Sequence, residues 1–149
     1  MRFLIKVVQN ASVDVDNKTI GRIDRGFLIF VGVCDADTKE IADKMIKKTA
    51  NLRIFEDENG KTNLSIGDIS GSMLVISQFT LYADCRKGNR PSFFKSGDPV
   101  HANELYEYVL AELRNTYKIP TESGEFGADM KVSLINDGPF TIMLDSDEL

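Results

Sequence analysis

Met130-Lys131-Val132-Ser133-Leu134-Ile135-Asn136-Asp137-Gly138-Pro139-Phe140-Thr141-Ile142-Met143-Leu144 sets two apolar, strand-like runs, 130–135 and 140–144, on either side of Asn-Asp-Gly-Pro. That tetrapeptide is turn chemistry. Asn and Asp tolerate unusual backbone angles, Gly permits positive φ, and Pro fixes φ and lacks an N–H. Two readings follow: a hairpin turn joining two strands, or a rigid loop that aims backbone groups at a ligand. A cis X-Pro bond would serve the second, because packing locks the isomer it selects.

Working outward, Arg2-Phe3-Leu4-Ile5-Lys6-Val7-Val8 is β-branched and apolar and predicts a largely buried strand. Ser12-Val13-Asp14-Val15-Asp16 and Thr19-Ile20-Gly21-Arg22-Ile23 predict a hairpin about Asn17-Lys18. Phe27-Leu28-Ile29-Phe30-Val31-Gly32-Val33 is a continuous apolar run, as expected of a strand buried on both faces. Thr38 is a candidate N-cap. Ile41, Ala42, Met45, Ile46, Thr49 and Leu52 then fall at helical spacing, with lysines on the other side. Residues 53–55 read as a short strand, 63–69 as irregular, and 72–83 as strand again. Pro99 leads a second helix with an apolar stripe from Ala102 to Tyr117, and 119–125 reads as a connector. The expectation is one α/β domain over 1–149, of mostly antiparallel strands with two main helices.

The 149 residues suffice for one domain with a proper core. Hydrophobic content of 42% and charged content of 28% are those of an ordinary globular protein, and no apolar run reaches membrane-spanning length. The early charge at Arg2 is unlike a signal peptide, and Cys34 and Cys85 read as reduced thiols, so the expected location is cytoplasmic. A net charge of −5 argues against broad binding to duplex nucleic acid, which needs a large basic face. A small basic site remains open: Arg86, Lys87, Arg90 and Lys95 share one segment. That segment, 84–98, has no clean period and is long for a simple connection, which marks it as functional.

Familiar catalytic parts are scarce. The single histidine, His101, follows Pro99 and reads as a helix-end residue rather than a general base. There is no nucleophile elbow, no phosphate loop and no Cys/His cluster able to hold zinc. What remains is Ser77-Gln78-Phe79-Thr80-Leu81, where a run of apolar residues switches abruptly to polar ones. Read as a strand, it points Gln78 and Thr80 to one side. There they bond neighbouring backbone or face a pocket. Thr80 is a conceivable nucleophile, but no base is indicated beside it.

Ser77-Gln78-Phe79-Thr80-Leu81-Tyr82-Ala83-Asp84, Arg86-Lys87-Gly88-Asn89-Arg90-Pro91-Ser92-Phe93, and Phe126-Gly127-Ala128-Asp129-Met130 through Asn136-Asp137-Gly138-Pro139-Phe140-Thr141 resemble the D-aminoacyl-tRNA deacylases. The likeness extends to Ala11-Ser12-Val13 and Asn51-Leu52-Arg53-Ile54-Phe55-Glu56-Asp57 and covers essentially the whole chain. The resemblance implies a DTD-like fold in a cytoplasmic homodimer, without metal, cofactor or membrane attachment. It implies hydrolysis of the ester between a D-amino acid and the tRNA 3′ end, and of glycyl-tRNA mischarged on tRNA(Ala). By the same resemblance the run from Ser77 and Gln78 to Thr80 lines the site of the aminoacyl-adenosine, and Phe126 and Met130 match the segment that contacts the adenine. The Phe79-Thr80 backbone is then expected to help form an oxyanion site, which makes Phe79 and Thr80 the catalytic candidates. Gly138 and Pro139, joined by a cis bond and inserted into the partner's pocket, exclude L-amino acids. Arg86, Lys87 and Arg90 become candidates for tRNA phosphates. The chain departs from the family at Lys6-Val7, where many members carry Gln-Arg near the site. Three mechanisms stay open: assistance by the tRNA terminal 2′-hydroxyl, Thr80 as nucleophile, or a non-catalytic module binding tRNA ends.

Overall fold

The computed structural model describes residues 1–149. One long strand, β1 (Arg2–Val15), organises it. Along one edge β1 pairs antiparallel with β3 (Gly26–Gly32) through 2–8 and with β2 (Lys18–Ile23) through 11–15. Along the other edge it pairs antiparallel with β8 (Lys131–Asp145) over almost its whole length. β4 (Phe55–Glu56) and β5 (Thr62–Leu64) form a separate small ribbon. Beyond β3 lie β6 (Ser72–Ser77) and β7 (Thr121–Ser123), each parallel to its neighbour. Antiparallel pairings thus predominate, as expected, but the sheet is mixed. β2 swings across β6 and β7, so the sheet curls into a nearly closed barrel. Gly21 makes that approach possible: a Cβ there would lie 2.9 Å from the Ser123 carbonyl oxygen.

The hairpin expected at 136–139 is not there. β8 runs straight through, and Asp137 to Phe140 bulge outward opposite the single residue Val7, between the pairs Lys6–Thr141 and Val8–Asn136. Turn residues make a bulge here because both flanking runs find the same partner strand, which a chain reversal would forbid. A second irregularity, with Gln9 extra on β1 between the pairs Val8–Asn136 and Asn10–Ile135, changes which face of β1 is buried. Phe3, Ile5 and Val7 join the main core with both helices, whereas Val8, Ala11 and Val13 join a second cluster with Ile23, Leu28, Leu74 and Ile76. A one-residue slip in a pleat of period two does this.

Other boundaries shift for local reasons. The first hairpin turns at Asp16-Asn17, both at positive φ, rather than at Asn17-Lys18; this is the twist that two-residue hairpins favour. The stretch 119–125 contains β7, too short and polar to show a period. Helix α1 (Lys39–Ala50) starts at Thr38, whose hydroxyl accepts from the Ile41 amide, and buries Ala42, Met45, Ile46 and Thr49. Helix α2 (Pro99–Asn115) is capped by Asp98, which accepts from the Val100 and His101 amides at 3.0 and 3.2 Å. It buries Ala102, Leu105, Tyr106, Val109, Leu110 and Leu113, and the Tyr106 hydroxyl donates to the Val75 carbonyl at 2.8 Å. That bond fixes α2 against β6, the strand leading into the site. Neither helix is long and apolar enough to cross a membrane.

Candidate active site

β6 ends at Ser77, and the strand expected to continue to 83 becomes a 3₁₀ turn, Phe79–Tyr82. β3 stops at Gly32, so beyond the Gln78 amide, which donates to the Val31 carbonyl at 2.8 Å, the neighbouring strand offers little more ladder. Arg2 holds the turn in place. Its guanidinium donates to the Leu81 carbonyl at 3.0 Å and to Asp145 at 2.8 Å, and lies 4.6 Å from the centre of the Tyr82 ring. Phe79 and Thr80 open the turn, and the opening N–H groups of a helical turn have no acceptor within it.

A cleft of about 470 Å³ lies beside this turn, walled by Ile76, Ser77, Gln78 and Phe79 on one side and 126–130 with Val132 on the other. Its size is within the range of small-molecule sites, roughly 300–1,000 Å³. Five residues singled out in the sequence therefore meet: Ser77, Gln78, Phe79, Phe126 and Met130. Thr80 is not part of the wall; the Gln78 side-chain amide donates to its hydroxyl oxygen. Gln78 and Thr80 thus satisfy one another while Gln78 also faces the cleft. Sequence reasoning missed Ser96, Gly97, Pro99 and Ala102, which close the cleft from the long loop and the start of α2. The irregularity of 84–98 was the available signal for the first two; Ala102 carries none. His101 is turned away from any catalytic role, its Nε2 bonded to the Asp37 carbonyl at 3.0 Å.

Gly138 and Pro139 do not line this cleft. Their peptide bond is cis, both residues are exposed, and Gly138 borders a separate hollow with Val7, Arg25, Phe55 and Phe140. With Val at position 7, the bulge is braced by other groups. The Asn136 amide nitrogen donates to the Val7 and Phe140 carbonyls at 2.9 and 3.3 Å, and its oxygen accepts from the Thr141 hydroxyl at 3.2 Å. Lys6 Nζ donates to that hydroxyl at 3.2 Å.

The basic segment is ordered by its own contacts. Asp84 and Ser92 exchange backbone hydrogen bonds of 2.7 and 2.9 Å, closing a loop. Side-chain and amide hydrogen bonds from Arg86, then the charges of Arg86 and Lys95, hold the Asp84 carboxyl well below its usual range. Arg86 is therefore occupied, whereas Lys87 and Arg90 are exposed with no carboxylate in ion-pair range. No three His, Cys, Asp or Glu side chains converge as a metal site would need.

The family model described as D-Tyr-tRNA(Tyr) deacylase matches residues 4–145. A D-aminoacyl-tRNA deacylase of Thermosipho melanesiensis is 51% identical over 146 residues, 98% of this chain and 97% of that one. One of Lactobacillus acidophilus is 53% identical over 145 residues, 97% and 99% of the two chains. Among solved structures, a c-Myc DNA unwinding element binding protein superposes with a TM-score of 0.92 at 39% identity, over 97% of this chain and 98% of that one. A probable eukaryotic D-amino acid tRNA deacylase shares the fold, with a TM-score of 0.85 at 17% identity over 96% and 97%. Matched along nearly its whole length by both pattern and relatives, the chain belongs to the D-Tyr-tRNA(Tyr) deacylase family of hydrolases.

Proposed function

We propose that the protein hydrolyses the ester joining a D-amino acid to the terminal adenosine of tRNA, releasing free amino acid and tRNA. The observation that carries this reading is the cleft between Ser77–Phe79 and Phe126–Met130, with Phe79, the first residue of the 3₁₀ turn, in its wall. The adenosine and aminoacyl group occupy the cleft between the Phe126 and Met130 side and the Ser77-Gln78 side. Water adds to the ester carbonyl, and the oxyanion that forms is met by the opening N–H groups of the turn. The terminal 2′-hydroxyl, held beside the carbonyl by the ribose itself, relays the proton from the water toward the departing 3′-oxygen. Effective molarities for groups placed in this way can reach about 10⁵–10⁸ M, so positioning supplies much of the rate. Thr80 is less suited to be the nucleophile, because Gln78 donates to its oxygen instead of a base accepting its proton.

Stereochemical choice falls to Gly138 and Pro139. They stand on the exposed face of the β8 bulge, and the same strand also exposes Ile135 and Met143, at 51% and 48%. A second copy docked on this face forms a homodimer and brings the partner's Gly138 and Pro139 to the cleft. Their carbonyls crowd the position of an L side chain, while D residues and glycine pass, so glycyl-tRNA mischarged on tRNA(Ala) is also a substrate. Rejection by clash discriminates more sharply than a difference of one methylene in a pocket. The site of action is the cytoplasm, where tRNA is charged. Side-by-side deacylation of D-Tyr-tRNA, L-Tyr-tRNA and Gly-tRNA tests the reading. Catalytic release of D-Tyr and Gly with L-Tyr-tRNA intact is expected. Stoichiometric binding without turnover would leave only a tRNA-end binding module.

A further inference from the structure

Phe94 is 93% exposed, the most exposed of the large apolar side chains. It does not sit on a loose loop. The Ser96 amide donates to the Phe93 carbonyl at 2.9 Å, and the Gly97 amide donates to the Val33 carbonyl at 2.8 Å. The Ser96 hydroxyl donates to the Phe79 carbonyl at 3.1 Å, tying this turn to the cleft wall. Phe93 meets Phe79 edge-on, with ring centres 5.0 Å apart and planes at 69°. Exposed aromatic rings thus lead outward from the cleft, Phe79 against Phe93, with Phe94 next in the chain. Lys87 and Arg90 belong to the loop closed by Asp84 and Ser92, just before Phe93 and Phe94 in the chain, and lack carboxylate partners in a chain whose net charge is −5.

We infer that Phe94, with Lys87 and Arg90, is a stacking platform for the unpaired nucleotide next to the terminal adenosine of the tRNA substrate. The inference rests on the aminoacyl-tRNA reading of the cleft. A single-stranded nucleotide presents what this surface lacks: a flat base for an exposed ring and a phosphate for unpaired cations. Such platforms combine aromatic faces with a basic track and tolerate any base, because every base has a π-face. The backbone that carries the ring is tied down before binding, so a base that stacks on it need not order the turn as well.

Two measurements on the full-length protein test this. The first is the Kd of a short single-stranded RNA ending in CCA against that of adenosine alone, for wild type, Phe94→Ala and Phe94→Trp. Loss of one stacking partner is expected to raise the RNA Kd roughly five- to tenfold in Phe94→Ala, with Trp restoring it. Adenosine binding should move by less than about twofold. The second compares kcat/KM on D-Tyr-tRNA with that on 3′-O-D-tyrosyl-adenosine, where the same contrast is expected. An unchanged RNA Kd, an equal fall on both substrates, or a dimer that falls apart on Phe94→Ala would overturn the inference. The last outcome would assign Phe94 to a second copy of the chain. Wild type that binds RNA in this Phe94-dependent way but hydrolyses neither ester would overturn the activity reading and leave the platform standing.

Discussion

Gly138 has φ +113°, and a Cβ there would lie 3.1 Å from the Phe140 amide nitrogen. Alanine is therefore strained and crowded, and the bulge must shift to take it. Under the proposed reading, Gly138→Ala raises hydrolysis of L-Tyr-tRNA relative to D-Tyr-tRNA by about tenfold or more, read from initial rates on the two substrates. L-Tyr-tRNA that stays inert while D activity persists would remove Gly138 from the gate. Thr80 offers an equally sharp case. With its oxygen accepting from Gln78, Thr80→Ala should keep kcat within about fivefold on D-Tyr-tRNA. Deletion of a true nucleophile costs far more, on the order of 10³-fold or beyond.

Among the elements, the 3₁₀ turn depends on a residue distant in sequence. Arg2 ties the Leu81 carbonyl and the Tyr82 ring to Asp145 at the end of β8. Under the proposed reading, Arg2→Ala is expected to lower kcat about tenfold on D-Tyr-tRNA while KM moves little, because the N–H groups proposed to meet the oxyanion would lose their fixed aim. Its ion pair is partly exposed, so the thermal midpoint should fall only slightly. Kinetics unaltered by the substitution would show that the turn holds itself. Asp98 caps α2 directly behind the loop that closes the cleft. Asp98→Ala should cost about 1 kcal/mol, or roughly 2–4 °C in Tm by calorimetry. The apolar spacing of both helices, the Thr38 cap and the leading Pro99 were legible in the sequence because each depends on neighbours within a turn. The 3₁₀ turn was not, since its partners Arg2 and Asp145 come from opposite ends of the chain.

For the whole molecule, alkaline pH should be the weak side. Burial, then the charge of Glu107, pushes the Tyr106 phenol up to about 12, from 10.0. The fold keeps this proton longer than the unfolded chain does, so the contribution is intact below about pH 10. It is lost as pH rises through about 12. Urea midpoints at pH 9, 10 and 11 should fall, and less steeply for Tyr106→Phe; parallel slopes would exclude Tyr106 as the cause. Neutralising Lys87 and Arg90 together should reduce the salt dependence of tRNA binding, whereas a merely solvated loop leaves the slope unchanged. By itself, the sequence determined the α/β class, both helices and the Ser77-Gln78-Phe79 and Phe126–Met130 walls, because apolar spacing and long continuous motifs are local properties. Only the tertiary structure decided that the Asn-Asp-Gly-Pro segment is a bulge within one strand. It also decided that Gly138 stands apart from the cleft of its own chain, and that Asn136 and Lys6 brace the loop. Which edge of β1 the two flanking runs share is a long-range choice, and turn residues reverse a chain or bulge it according to the strand they find beside them.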